Sequence, residues 1–510
     1  MTEQHASMSI PDTLISLIVA FVIAMAFRGF VLEGFVIPTG SMAPTLLGDH
    51  MILHSQDTGY EWTVDTGPRF LGNLYPGQML TARDPMMGPA ARLQRISAAE
   101  LPLRSRSGDR VLVMKWLPLL MRLDRFDVVV FKNPTNPTEN YIKRLVGLPN
   151  EEVWLVDGDV FVRALDADPD APFRICRKPA HVQRAVWQPI HDSHFLPSAN
   201  AFGRPDQELW LGLTRNDESW SIEPGDQTLS WNARAWPLRD TNAYNMLGET
   251  DEAFEISDLR IMMQLTPDDA DFAGTLLLRA RTHVFEFDIQ PQQIAVRMWK
   301  IGSPDAVTER RVARPATVPG EVIFVECVHV DQELLLNVND TRVALAYEWD
   351  PDDRLLFSTG RSVQAAKEES YAAQPWVRDI RPHAAELEWK FRGGGGTIHR
   401  LRVDRDLYYR PDIMSYDWPD PAVATHPDAT AHLGDSHYFM CGDNSAASLD
   451  SRKWGQPHEL VAKQIDPTGF VVHRKLIVGR AWCVYFPSPY ALREGGTRFV
   501  PDFGHMRLIR

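Results

Sequence analysis

The sequence predicts a mainly β protein: an N-terminal transmembrane helix, then an all-β body interrupted by an inserted antiparallel β-sandwich. Three observations carry this. Residues 13–27 (TLISLIVAFVIAMAF) are uncharged and almost wholly apolar. Short β-branched runs behind turn signals flank the middle of the chain. Between them, residues 206–410 repeat a period-two alternation of apolar and polar positions.

The elements follow in order. Residues 1–12 form a short tail. Fifteen apolar residues make about 22 Å of helix, short of the roughly 30 Å hydrocarbon core. Extension through Arg28-Gly29-Phe30-Val31-Leu32 gives an anchor over 13–32, with Arg28 snorkelling to the headgroups. A cleaved signal peptide is the alternative, supported by the small-x-small Ala24-Met25-Ala26. Residues 1–12 hold no Lys or Arg, however, whereas a signal peptide wants a positive n-region. The same lack leaves orientation unread from charge.

A strand is expected to begin at Asp49-His50-Met51-Ile52. Residues 55–107, rich in Gly, Pro, Arg and Met, read as an irregular insertion. Strands resume at 108–114 and 127–132. Residues 153–156 and 159–162 flank Asp157-Gly158, the pair that suits a type I′ hairpin turn. Residues 163–205 read as an irregular linker. In 206–410, Leu259/Ile261/Met263/Leu265, Phe285/Phe287/Ile289, Ile294/Val296/Met298 and Leu334/Leu336/Val338 alternate with polar neighbours, as strands with one buried face do. His329–Asp340 is similar to the strand-turn-strand of concanavalin/laminin-G-like jelly rolls. A linker over 411–435 and a last segment over 436–510 complete the chain.

Composition narrows the classes. At 510 residues, with 44% hydrophobic and 24% charged residues, the chain is globular and of two to three domains. A formal charge of −14 argues against a nucleic-acid partner. Cys176, Cys327, Cys441 and Cys483 are widely separated and contain no Cys-x-x-Cys, so a cysteine-ligated zinc site is not expected, and buried free thiols are. Their pairing is not legible from one sequence. Neither a metal nor a cofactor is expected.

Three stretches carry chemistry. Pro38-Thr39-Gly40-Ser41-Met42-Ala43-Pro44-Thr45-Leu46 puts a serine on a Gly-hinged loop just after the apolar segment. Tyr141-Ile142-Lys143-Arg144-Leu145-Val146-Gly147-Leu148-Pro149 holds a lysine between apolar neighbours, and Gly442-Asp443-Asn444-Ser445-Ala446-Ala447-Ser448-Leu449-Asp450-Ser451-Arg452 completes the set. A serine hydroxyl is a poor nucleophile until a base takes its proton. His50 and His54 are near in sequence but leave the other two stretches unexplained. His191-Asp192-Ser193-His194 lies in an irregular segment without supporting ligands. Lysine can serve as base only when neutral, which burial favours.

In order and wording these stretches resemble the boxes of bacterial type I signal peptidases, Ser/Lys proteases that remove signal peptides from exported proteins. The resemblance covers about a quarter of the chain. It implies an all-β catalytic fold in three parts, 33–54, 108–162 and 436–510. It implies Ser41 as nucleophile and Lys143 as general base. The Ser41 N–H and the Thr39 hydroxyl would form the oxyanion hole, and Ser448 would orient the lysine amine. Asp450 and Arg452, with Arg144, would be structural. Ser445-Ala446-Ala447 stands where Arg-Asp-Asn is frequent, so a salt bridge of that wording is expected to be missing here. Phe35, Ile37 and Ile142 are expected walls of a pocket that takes small-x-small sequences. Trp116–Met121 could dip into the membrane surface or be core.

The implied partners are exported preproteins and membrane lipid. The implied location is the inner, cytoplasmic membrane, single-pass, with the catalytic part on the exoplasmic side. Two rivals remain: a self-cleaving repressor, and a membrane-anchored glycan- or protein-binding module carrying an inactive protease. The N-terminal membrane helix and the lack of a DNA-binding module ahead of Ser41 disfavour the first, and an idle site has no need of Ser41, Lys143 and Ser448 together. All candidate catalytic residues lie outside 206–410, so the sandwich is expected to be separable from the site. Its ligand is not legible.

Overall fold

In the computed structural model, residues 10–509 are described apart from 68–74, 76, 88–92, 116–121, 197–207, 217–218, 241–253, 360–361, 369–383, 412, 416–417, 492–497 and 501. The apolar run forms helix α1, Ile10–Phe30, 21 residues and so about 32 Å long. Its described apolar side chains, among them Leu17, Phe21 and Ile23, are exposed on every side. Among the described residues, no helix is long and apolar enough to cross a membrane. The expected anchor is therefore not something the structure shows.

Ten strands follow: β1 (Leu32–Val36), β2 (His50–His54), β3 (Glu61–Asp65), β4 (Met79–Arg83), β5 (Leu93–Ser97), β6 (Arg110–Lys115), β7 (Val128–Asn133), β8 (Asn136–Gly147), β9 (Glu151–Val156) and β10 (Asp159–Ala164). The first sheet runs β1, β6, Ile477–Phe486, β7, β8, His437–Cys441 and Val472–His473, with Arg507–Leu508 on Ile477–Phe486. It thus draws strands from both ends of the chain. One face packs Ile37, Met42, Leu46, Val111 and Val130 against Ala481 and Val484. The other packs Val129, Phe131 and Leu145 against Met440, Val472 and Leu476. β9 and β10 pair with Val156 opposite Asp159, and Asp157 (φ 50°) and Gly158 (φ 88°) both take the positive φ that the turn needs.

The described residues of 55–107 hold regular structure, where an irregular insertion was expected. β2 pairs with β3 and β4 with β5, and Met51, Leu53, Trp62, Val64, Leu80 and Ile96 bury a small core of their own. The glycine and arginine content concealed the alternation of Trp62 and Val64 in β3 and of Leu80 and Ala82 in β4. Residues 163–205 also hold regular structure: a helix, Ala180–Val186, and a strand, Gln188–Asp192, that pairs with Gly396–Arg405. That strand belongs to the sandwich sheet and lies ahead of residue 206.

Two antiparallel sheets make up the middle of the chain. One contains Gln188–Asp192, Thr214–Asn216, Ser219–Ile222, Leu259–Pro267, Ile323–Val330, Glu333–Val338, Thr341–Ala346 and Gly396–Arg405; the other has seven strands between Trp210 and Arg392. Their inner faces carry the residues picked out by alternation: Leu259, Ile261, Met263 and Leu265 from one sheet meet Phe285, Phe287, Ile294 and Val296 from the other in one buried core. Turns at Asp331-Gln332 and Asn339-Asp340 join adjacent strands, with Asp331, Gln332 and Asn339 at positive φ. Two short helices, Pro351–Thr359 and Val363–Glu368, interrupt the β pattern. The run at 116–121 lies outside the described residues. All four cysteines are free thiols; Cys327 and Cys441 are buried and Cys176 and Cys483 partly so.

Candidate active site

Ser41 sits in a single 3-10 turn, Gly40–Met42, between an extended Thr39 and Ala43. The turn closes with Ala43 N donating to Gly40 O at 3.0 Å and continues with Leu46 N to Met42 O at 2.9 Å. Met42 and Leu46 bury their side chains beneath it and so fix its height over the sheet. Gly48 lets the returning chain approach: a Cβ there would lie 2.2 Å from the Thr39 carbonyl carbon. The loop's far end is tied by Leu47 N to Asp109 Oδ2 (3.1 Å). Arg507, near the C-terminus, donates to both Asp109 Oδ2 (2.9 Å) and Thr45 O (2.8 Å).

Lys143 lies on β8 opposite Val129 of β7. Its Nζ stands 2.8 Å from Ser41 Oγ and 3.1 Å from Ile142 O, and 5.1 Å from the centre of the Tyr141 ring. Ser41 is 8% exposed and Lys143 4%. The two residues, 102 apart in sequence, are thus in hydrogen-bond contact in a largely dry setting. Neither His50 nor His54 reaches Ser41. His50 is buried with Nδ1 against Gly48 O at 2.8 Å, burial lowering its pKa, and His54 is exposed beside Glu61 at 3.0 Å.

The third stretch closes over the serine turn. Asn444 donates twice, from its backbone to Ser41 O and from Nδ2 to Gly40 O, both at 3.1 Å. A Cβ on Gly442 would lie 2.2 Å from Ser448 Oγ and 2.5 Å from Ser41 O, so only glycine allows this approach. Ser448 is buried beside the dyad, but its Oγ makes no hydrogen bond of good geometry, although it is near enough to Asp450 to help hold that carboxyl ionised. The orienting bond from Ser448 to Lys143 Nζ is therefore not formed in this structure. The Thr39 side chain does not cap the turn.

Two fully buried ion pairs brace this loop. Arg144, beside Lys143, grips Asp443 through Nε (2.7 Å) and Nη2 (2.6 Å) and donates Nη1 to Phe126 O at 2.7 Å; Thr45 Oγ1 also donates to Asp443. Burial opposes the charge on Arg144, yet Asp443 outweighs it and raises the guanidinium's pKa. Arg452 grips Asp450 at 2.8 Å through both Nε and Nη2, while Gly442 N donates to Asp450 Oδ2 at 3.0 Å. Burial alone would raise the Asp450 pKa; Arg452, with these hydrogen bonds, brings it below the usual carboxylate range. Ser445 does not leave Arg452 short of partners. Its Oγ accepts from Nη1 at 2.7 Å and its carbonyl from Nη2 at 3.1 Å.

Of the expected pocket residues, Ile37 is core, 3% exposed, while Phe35 and Ile142 are partly buried against the same cluster. Asp443, Asn444, Thr45, Gly442 and Arg507 escaped the sequence reading. The first, second and fourth lie in the third stretch and could have been read there. Nothing local marks Arg507.

Residues 10–173 match the sequence model of the family described as "Signal peptidase, peptidase S26". That segment is similar to the signal peptidases. It contains Ser41 and Lys143, whereas Ser448, Asp450 and Arg452 lie outside it. Curated relatives agree. Signal peptidase I of Rickettsia rickettsii (strain Sheila Smith) is 28% identical over 150 residues, 28% of this chain and 40% of the relative. That of Rickettsia bellii (strain OSU 85-389) is 26% identical over 162 residues, 32% and 42% respectively. The chain thus spans about two fifths of the length of the signal peptidases it matches. Among solved structures, the laminarinase catalytic domain of Thermotoga maritima MSB8 is 12% identical over 43% of this chain and 99% of its own, with a TM-score of 0.26.

Proposed function

We propose that the chain is a membrane-anchored serine endopeptidase that removes N-terminal signal peptides from exported preproteins, cutting after small-x-small sequences. The observation that carries this is the 2.8 Å contact of Lys143 Nζ with Ser41 Oγ, both buried, within the segment that matches signal peptidases. Ser41 Oγ attacks the scissile carbonyl carbon as its proton passes to Lys143 Nζ. The oxyanion is met by the Ser41 N–H and the Thr39 hydroxyl. Lys143 then protonates the leaving amine, and the C–N bond breaks to leave an acyl ester on Ser41. Water, deprotonated by Lys143, hydrolyses that ester and frees the serine. Asp450, Arg452 and Arg144 hold the loop that covers the dyad, and Phe35 and Ile142 flank the approach to it.

The apolar helix α1 serves as the single anchor and places the β body at the exoplasmic face of the inner membrane. A helix with apolar side chains exposed all round wants a lipid or protein cover. Detergent-solubilised full-length protein should cleave a preprotein bearing a small-x-small site, and Ser41→Ala should reduce this by at least about 10³-fold while leaving the fold intact. Cleavage undiminished by Ser41→Ala would sink the reading.

A further inference from the structure

The chain leaves the sandwich through its strand Gly396–Arg405 and reaches Arg410 five residues later. Arg410 is 8% exposed and bonded on two sides. Its backbone N–H donates to Ser445 Oγ at 2.9 Å, and its carbonyl accepts Arg452 Nη1 at 3.1 Å. Its Nε donates to Asp240 Oδ2, and its guanidinium lies 5.5 Å from the centre of the Phe254 ring. Asp240, 3% exposed, is fixed in turn: its Oδ1 accepts Phe254 N at 2.7 Å, and its N–H donates to Phe254 O at 2.9 Å. Phe254 and Leu238 lie in the sandwich core.

A hydrogen-bonded path therefore runs from the sandwich to the dyad: Asp240, Arg410, Ser445, Arg452, Asp450, and the N–H of Gly442, which packs on Ser448 and Ser41. We infer that Arg410, held by Asp240, is a positioning residue for the Ser448 loop, so that the sandwich is a working part of the active site. The inference rests on the Ser/Lys protease reading. Arg410 meets Arg452 through backbone atoms alone, so its side chain acts only by fixing where that backbone lies. The partner of its charge is Asp240, and the path has no other carboxylate until Asp450.

The test compares full-length wild type, Asp240→Asn, Arg410→Lys and Ser41→Ala on a peptide that spans a small-x-small site. Asp240→Asn keeps the shape and loses the charge; kcat should fall about tenfold with KM within about twofold, since loop misplacement acts on the chemical step. Arg410→Lys keeps the cation and should fall less, by about threefold. Should Asp240→Asn not fold, Asp240→Glu carries the same test, with a fall in kcat of about threefold expected. Folded Asp240 variants with wild-type kcat, or with a change in KM alone, would overturn the inference while wild-type cleavage, lost in Ser41→Ala, left the protease reading intact. A wild type that cleaves nothing would remove both.

Discussion

Gly442 shows how narrow the tolerances at this site are. Its missing side chain leaves room for Ser448 Oγ and for the carbonyl of Ser41; the hydroxyl could rotate away, but the Ser41 carbonyl, 2.5 Å from a Cβ placed there, is backbone and could not give way without moving the nucleophile's turn. Gly442→Ala should therefore lower kcat/KM by about 10²-fold, the scale of a displacement of about 1 Å at the reacting atoms. Asp450 supplies a pH dependence of stability. Its folded pKa is depressed, so its contribution is present above the unfolded value of about 3.9 and is lost as pH falls through the folded one. Urea unfolding at pH 6 and pH 3 should show that Asp450→Asn costs more at the higher pH. An equal cost at both would contradict the assignment. Ser41 and Lys143 were legible in the sequence because each sits in a short stretch whose wording is local. Ser448 was legible as a member of its stretch but not in its bonding, because hydroxyl orientation depends on Gly442 and Asp450 in three dimensions.

At the scale of elements, the site depends on β8 and the loop after His437–Cys441 meeting edge to edge. Met440 pairs with Leu145 and Cys441 with Arg144, so the strand pairing carries Gly442 and Asp443 to the lysine. The Arg144–Asp443 pair then locks the register, with both side chains fully buried. Removing one member of such a pair strands a buried charge, so Asp443→Ala should lose about 3–5 kcal/mol in urea unfolding. Those partners are 299 residues apart, and no local pattern announces a contact at that distance. The sandwich strands were legible for the opposite reason. Each shows its buried face to itself: in Leu259–Pro267 every second residue is buried. The 55–107 hairpins were missed because their strands are five residues long and separated by Gly- and Pro-rich connections that dilute the alternation.

Across the whole molecule, the sandwich is tied to the β9–β10 hairpin and the segment after it by more than its chain ends. Asp157 of the β9–β10 turn pairs with Arg281, and Asp159 with Arg354, all four buried. Lys178 bridges Asp331 and Asp406. Replacing 206–410 by a linker would delete Asp240, Arg281, Asp331, Arg354, Asp406 and Arg410 and would leave Asp157, Asp159 and Lys178 without these partners. The deletion, which the positions of the candidate catalytic residues alone would permit, is thus expected to lose most of its peptide cleavage and to melt at a lower temperature. A deletion protein with wild-type kcat would refute that. The account's central claim is that Lys143, and not a histidine, takes the proton of Ser41. Its most direct test is the cleavage rate of a preprotein by full-length Lys143→Ala beside His50→Ala and His54→Ala, each checked for folding. The account predicts loss of at least about 10³-fold for Lys143→Ala and near-normal rates for both histidine variants. Near-normal turnover by Lys143→Ala, with loss in either histidine variant, would contradict it.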